Sequence, residues 1–96
     1  MTLSDPLQTR REHAKGLRLR FKVLTPEELY VQGSLVSYDL IIDCCGDPQA
    51  VEYAFEHVQP GGTICLYGTC PVGSRVSFDP LKLLLKEITV ISNIVY

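Results

Sequence analysis

An α/β fold, built as a parallel sheet with helices on both faces, is what this sequence predicts, and two regularities carry the prediction. Four dipeptides, Asp5-Pro6, Thr25-Pro26, Asp47-Pro48 and Asp79-Pro80, each set a helix-capping residue directly before proline. Short segments rich in apolar, β-branched and aromatic residues lie between them. A cap side chain accepts hydrogen bonds from the free amides of a first helical turn, and proline there gives up only a donor that had no intrahelical partner. Near-continuous apolar strands alternating with helices form parallel sheets covered on both faces.

Taken in order, Met1 to Ser4 reads as a short strand and Pro6 as the start of the first helix. Leu19 to Leu24 is the second strand, followed by a helix from Pro26 whose start is reinforced by Glu28, the third residue after Thr25, in a capping box. Leu40 to Ile42 is a wholly apolar strand. From Pro48 to Val58 the residues Val51, Ala54, Phe55 and Val58 recur at spacings of three and four, the stripe of an amphipathic helix. Gln59-Pro60-Gly61-Gly62 is expected to stop that helix and turn the chain into a strand at Thr63 to Tyr67. A last helix from Pro80 and a last strand within Ile88 to Val95 complete a β-α-β-α-β-α-β-α-β order.

Composition narrows the function classes. Ninety-six residues, 46% hydrophobic, suit one small folded domain. A net charge of -2 and a pI near 5.6 give no electrostatic case for nucleic acid or an anionic membrane. The early basic cluster of Arg10, Arg11, Lys15, Arg18, Arg20 and Lys22 reads as a solvated helix face. Apolar runs fall short of the roughly 18–20 residues of a membrane span, and the N-terminus lacks a secretory signal, so the cytoplasm is the expected compartment. Cys44, Cys45, Cys65 and Cys70 show no CxxC pair and no zinc spacing, and are expected as buried strand thiols.

In open parallel sheets ligands bind beyond the carboxyl ends of the strands. The residues to weigh are therefore Asp5, Asp43 to Gly46, Tyr67 to Thr69 and Ser92 to Ile94. Asp5 either caps its helix or accepts from both hydroxyls of an adenosine ribose, repelling a 2′-phosphate. Arg10, one turn on, is within reach of the same ribose or is a surface cation. Gly46 and Gly68 allow a ligand or a loop to approach the backbone closely. His57 reads as an exposed helix residue, and Glu27-Glu28 as a first turn favoured by the helix dipole.

Together these strand ends resemble the medium-chain, zinc-dependent alcohol dehydrogenase family, most closely its sorbitol and polyol branch. The residues that carry the resemblance are Asp5 followed five positions later by Arg10, the helix segment Glu12-His13-Ala14-Lys15, and the stretch from Tyr38-Asp39 through Asp43 to Gly46. Pro60-Gly61-Gly62 leading to Gly68, and Lys86-Glu87 before the last strand, complete it. The resemblance implies a Rossmann-like domain, here a partial one over residues 1–96. It implies NAD or NADP as cofactor, with NAD favoured by Asp5, and cofactor contacts at Asp5, Arg10, Cys45, Gly46, Tyr67, Gly68, Ser92, Asn93 and Ile94. The implied partners are the nicotinamide dinucleotide, an alcohol or polyol, and a second copy or a full-length dehydrogenase subunit.

The departures from the family are equally plain. The first strand with its G-x-G-x-x-G turn, which holds a pyrophosphate, is not found, nor are the catalytic or structural zinc ligands. Ser92 stands where many relatives have glycine, and Val95 where polyol dehydrogenases tend to carry arginine. The expectation is a nucleotide-binding fragment with no catalytic residues and no alcohol oxidation of its own. In the order 3-2-1-4-5-6 the missing strand is central, so two unpaired sheet edges are expected. A methyltransferase binding adenosylmethionine shares the aspartate before an apolar strand and the Pro-Gly-Gly turn, and would close with an antiparallel hairpin. A non-catalytic module pairing with a full-length subunit is the third reading.

Overall fold

The computed structural model describes residues 2–17, 22–32 and 37–92, in two compact units, Met1–Leu35 and Val36–Tyr96.

In the first unit, β1 (Thr2–Ser4) pairs in parallel with β2 (Lys22–Leu24), with Leu3 opposite Val23. The strand expected from Leu19 is described only from Lys22, since residues 18–21 lie outside the described set. Helix α1 (Gln8–Gly16) begins two residues later than Pro6 predicts. Asp5 Oδ1 accepts from Leu7 N at 2.9 Å, an Asx turn, but Leu7 keeps an extended backbone (φ -88°, ψ 120°) and becomes the N-cap itself. The first helical bond therefore runs from Arg11 N to Leu7 O. Helix α1 is polar nearly all round and buries only Ala14. Helix α2 (Pro26–Gln32) opens as predicted: Glu28 N donates to Thr25 Oγ1 at 3.1 Å, and Thr25 N donates to Glu28 Oε1 at 3.0 Å. That backbone donor, first among the causes, holds the Glu28 carboxyl below its ordinary range.

In the second unit, β3 (Tyr38–Asp43), β4 (Val58–Leu66) and β5 (Thr89–Ser92) form an all-parallel sheet in the order β3-β4-β5. Helix α3 (Pro48–His57) joins the first two strands, and α4 (Pro80–Lys86) joins the last two. Both prolines follow a working cap: Asp47 Oδ1 accepts from Gln49 N, and Asp79 Oδ1 from Leu81 N, each at 3.0 Å. The predicted stripe of α3 is buried. Val51, Ala54, Phe55 and Val58 close with Ile64 into the core, and Ile41, Leu66, Leu83 and Ile88 pack around it. The stacked rings of Phe55 and Phe78, centroids 5.0 Å apart, bring the long 67–79 connection onto the same helix. Ser77 N, donating to Glu52 Oε1 at 2.9 Å, holds it there.

Three expectations need correction in this unit, and one gains detail. Gln59-Pro60-Gly61-Gly62 is not a turn outside the sheet but part of β4. Val58 and Thr63 pair with Tyr38 and Leu40, so residues 59–62 bulge opposite the single Asp39, with Gly61 at φ +78°. A side chain on Gly62 would strike the Asp39 carbonyl, so only glycine lets the bulge lie this close. Second, the detail of β3 is that this unit's own helices cover one of its faces, within the expected helix-flanked parallel sheet. Side chains alternate along a strand, and α3 and α4 both cover the face of Ile41 and Ile64, leaving Leu40 52% and Ile42 55% exposed. Third, Cys44 and Cys45 are exposed; Cys65 and Cys70 are half-buried, and all four thiols are free. Fourth, His57 is half-buried and not an exposed helix residue. It stacks on Tyr53 with centroids 4.0 Å apart, its Nδ1 lies 3.2 Å from Tyr53 O, and its Nε2 is buried without a hydrogen-bond partner.

No helix among the described residues is long and apolar enough to cross a membrane.

Candidate functional site

In the first unit the candidate residues gather where β1 ends. Ladder pairing continues one residue past the strand, with Asp5 N donating to Leu24 O at 3.2 Å, and this fixes the aspartate at the strand's carboxyl end. Its carboxylate is engaged locally: Oδ1 takes the Leu7 amide in the Asx turn, and Oδ2 lies 3.7 Å from Arg10 Nη1. An ionised carboxylate has about four acceptor positions, so one local hydrogen bond and a loose ion pair leave capacity for a diol. Arg10 is largely exposed and free to swing. Arg11, one of the basic cluster expected as a solvated helix face, folds back instead. Its Nη1 donates to the Asp5 backbone carbonyl at 2.8 Å, which sets a second guanidinium beside the strand end. Consecutive arginines look alike in a sequence, and the helix turn alone decides which one folds back.

In the second unit the ends of β3 and β4 are tied together. Asp43 O accepts from Tyr67 N at 2.8 Å and from Gly68 N at 3.0 Å. Its side chain, 7% exposed, accepts from Cys45 Sγ at 3.0 Å through Oδ1, and Oδ2 is buried without a partner. Burial, and then the bond to Asp43, push the Cys45 thiol above its ordinary pKa. The two glycines answer to each other. A side chain on Gly46 (φ +71°) would run into the Thr69 carbonyl, and one on Gly68 into the Gly46 amide and the Asp43 carboxylate. The geometry shows a loop approaching each glycine closely, and Gly46 also turns the chain into the working Asp47-Pro48 cap.

Cys45, Gly46, Tyr67 and Gly68 thus form one surface at the strand ends. Ser92 closes β5 in register with Leu66, on the same edge of the sheet. Asn93 and Ile94 lie outside the described residues. Cys45 and Tyr67 are exposed, Gly68 is half-buried and Gly46 is buried, and the Tyr67 and Gly68 amides are taken by Asp43 O. Among the described residues no group of three or more His, Cys, Asp or Glu could hold a metal ion, so zinc does not fit the side chains seen here.

Parallel sheets flanked by helices, with a carboxylate and glycine loops at their carboxyl ends, define a Rossmann-like nucleotide-binding fold. Solved structures share it. A zinc-binding dehydrogenase of Sinorhizobium meliloti 1021 bound to NADP superposes with a TM-score of 0.83 at 23% identity, over 96% of this chain and 29% of its own. An alcohol dehydrogenase of Escherichia coli CFT073 complexed with NADH gives 0.76 at 20% identity, over 96% and 28%. Galactitol-1-phosphate dehydrogenase of Escherichia coli gives 0.68 at 27% identity, also over 96% and 28%. The chain thus spans less than a third of these proteins' length. No curated protein matches it. The family model of zinc-binding dehydrogenases matches residues 32–96, and the chain belongs to that family. The match separates the dehydrogenase reading from the methyltransferase one.

Proposed function

We propose that this chain supplies part of the nucleotide-binding domain of an NAD(P)-dependent dehydrogenase acting on an alcohol or polyol. The tying of the β3 and β4 ends through Asp43, Gly46 and Gly68 carries this reading. It brings Cys45, Tyr67 and the two glycines together at the carboxyl edge of a parallel sheet, where such folds take their ligands. Asp5 and Arg10 would hold the adenosine ribose. Cys45, Gly46, Tyr67, Gly68, Ser92, Asn93 and Ile94 would line the nicotinamide side. The nicotinamide ring, when bound, accepts the hydride; the residues named here bind and orient it. Zinc would come from other parts of such an enzyme, since the described residues offer no ligand set. The likeness to a galactitol-1-phosphate dehydrogenase supports a polyol. Four free thiols suit a reducing compartment, the cytoplasm.

Titration of the purified chain with NAD+ and NADP+, followed by amide NMR shifts, tests the reading. A ribose contact of ~1–3 kcal/mol predicts a Kd of about millimolar or weaker. Shifts should fall on Asp5, Gly46 and Gly68, and NAD+ should bind more tightly than NADP+. Asp5→Ala should narrow the difference between the two. The chain with sorbitol and added zinc should reduce no NAD+. Shifts at none of these residues at ~50 mM nucleotide, several times the ~6 mM Kd that ~3 kcal/mol corresponds to, would remove the nucleotide reading. Micromolar affinity or turnover would show that the chain carries more of the site than proposed.

A further inference from the structure

Three candidate contacts of the second unit hang on a residue that is not one of them. Tyr67 and Gly68 are held by the Asp43 carbonyl at 2.8 Å and 3.0 Å, and Cys45 by its Oδ1 at 3.0 Å. Gly46 is wedged between Cys45 and the Thr69 backbone, with no room for a side chain. A buried carboxylate is an expensive way to fill a strand end. Leucine or valine would fill the volume without desolvating a charge, as β3 does at Ile41. What aspartate adds is an acceptor aimed at the next loop. We propose that Asp43 is a positioning residue for nicotinamide-dinucleotide binding, its carbonyl and carboxylate locking the 44–46 and 67–69 loops into one rigid backbone surface. The proposal rests on the nucleotide reading above and deepens it.

A preformed surface loses less freedom on binding than two independent loops would, so the lock acts on affinity through preorganisation. The thiol reports on the lock. With its proton held by Asp43, Cys45 is a poor thiolate source, and the thiolate is the form that attacks an alkylating reagent. In that reaction the Cys45 sulfur forms a bond to the methylene carbon of iodoacetamide, iodide leaves, and the thiol proton goes to buffer.

The experiment combines alkylation kinetics of Cys45, resolved from Cys44 by peptide mapping, with NAD+ titration by amide NMR. The proteins are the whole chain and its Asp43→Asn, Cys45→Ser and Cys45→Ala variants. Asp43→Asn should move the pH midpoint of Cys45 alkylation downward, raise the rate at neutral pH several-fold, and weaken NAD+ binding about five-fold. Cys45→Ser keeps a donor for Oδ1 and should weaken NAD+ binding less than Cys45→Ala does. Cys45→Ala removes that donor and should match Asp43→Asn. The serine–alanine pair keeps the test alive should Asp43→Asn fail to fold. An unchanged alkylation profile in Asp43→Asn would show that the lock does not exist. Equal NAD+ affinity in Cys45→Ser and Cys45→Ala would show that the lock does not position nucleotide. A parent chain with no NAD+ shifts would overturn the functional reading together with the positioning role, while the alkylation profile separately showed whether Asp43 holds the thiol.

Discussion

Val36–Tyr96 closes Val51, Ala54, Phe55, Val58 and Ile64 into a core, whereas in Met1–Leu35 only Ala14 among the described residues is buried as deeply. Both units pair parallel strands, and both use capped helices. The difference lies in how much apolar surface the pattern delivers to one place. Strands β1 and β2 are three residues each, and α1 carries charge on most of its circumference. Strand β4 runs nine residues, and α3 offers an apolar stripe at the right spacing. Parallel pairing by itself is weak, and a covering helix makes it persist. The second unit should therefore set the chain's cooperative stability, and the first should open more readily.

The largest expected effect breaks the stronger unit. Ile64 is 0% exposed and touches α3 from the middle of the sheet. Ile64→Ala should cost ~2–5 kcal/mol through lost burial and a residual cavity, enough to abolish the urea transition of a small domain. Ala14→Gly, at the only deeply buried site described in the first unit, should cost about 1 kcal/mol and leave that transition almost in place. Comparable losses from the two substitutions would mean that the units melt as one. Gly68→Ala should also be severe. Its methyl has no free volume, and the atoms it meets are the Gly46 and Cys45 amides and the buried Asp43 carboxylate.

Caps sharpen the same contrast at a smaller scale. Asp47→Ala removes the acceptor for Gln49 N, and Thr25→Ala removes the acceptor for Glu28 N. Each should weaken its helix by ~1 kcal/mol. Only Asp47→Ala should shift the cooperative transition; Thr25→Ala should appear as faster hydrogen exchange confined to α2. A shift of the main transition by Thr25→Ala would contradict the separation of the units.

Much of this architecture is legible in the amino-acid sequence alone. The cap–proline dipeptides place α2, α3 and α4 at Pro26, Pro48 and Pro80, because both partners of the cap lie within three residues of each other. Asp5-Pro6 misleads by two residues because helix entry there depends on the backbone angle of Leu7, which no dipeptide specifies. The Pro-Gly-Gly segment reads equally as a turn or a bulge until its partner strand is known. The site divides the same way. Asp5 and the glycines stand out by residue type and position, whereas the roles of Arg11 and Asp43 arise from hydrogen bonds whose geometry only the folded chain supplies. Exposure of Cys44 and Cys45 escapes the sequence pattern for a related reason: they follow an apolar strand without belonging to it.

The smallest effect is a pH dependence in the second unit, read from His57. Burial first, opposed by Glu56 and reinforced by Lys86, lowers its pKa from the ordinary 6.5. The folded ring therefore holds its proton less tightly than the unfolded one, and the unfolded chain binds more protons just below that value. Stability then rises with pH across this window and falls on acidification through the unfolded pKa. The geometry gives the reason: Nε2 is buried without a partner, so charging it would leave an unmet donor against the stacked Tyr53. Lys86, donating to Val58 O at 3.3 Å, keeps a second positive charge close by. The ring is partly open to solvent, which keeps the effect modest. Thermal melts from about pH 5 to about pH 7.5 should show a shallower slope for His57→Gln than for the parent, with the two curves converging at the upper end. Parallel curves throughout would show that the buried ring of His57 does not contribute to the acid sensitivity.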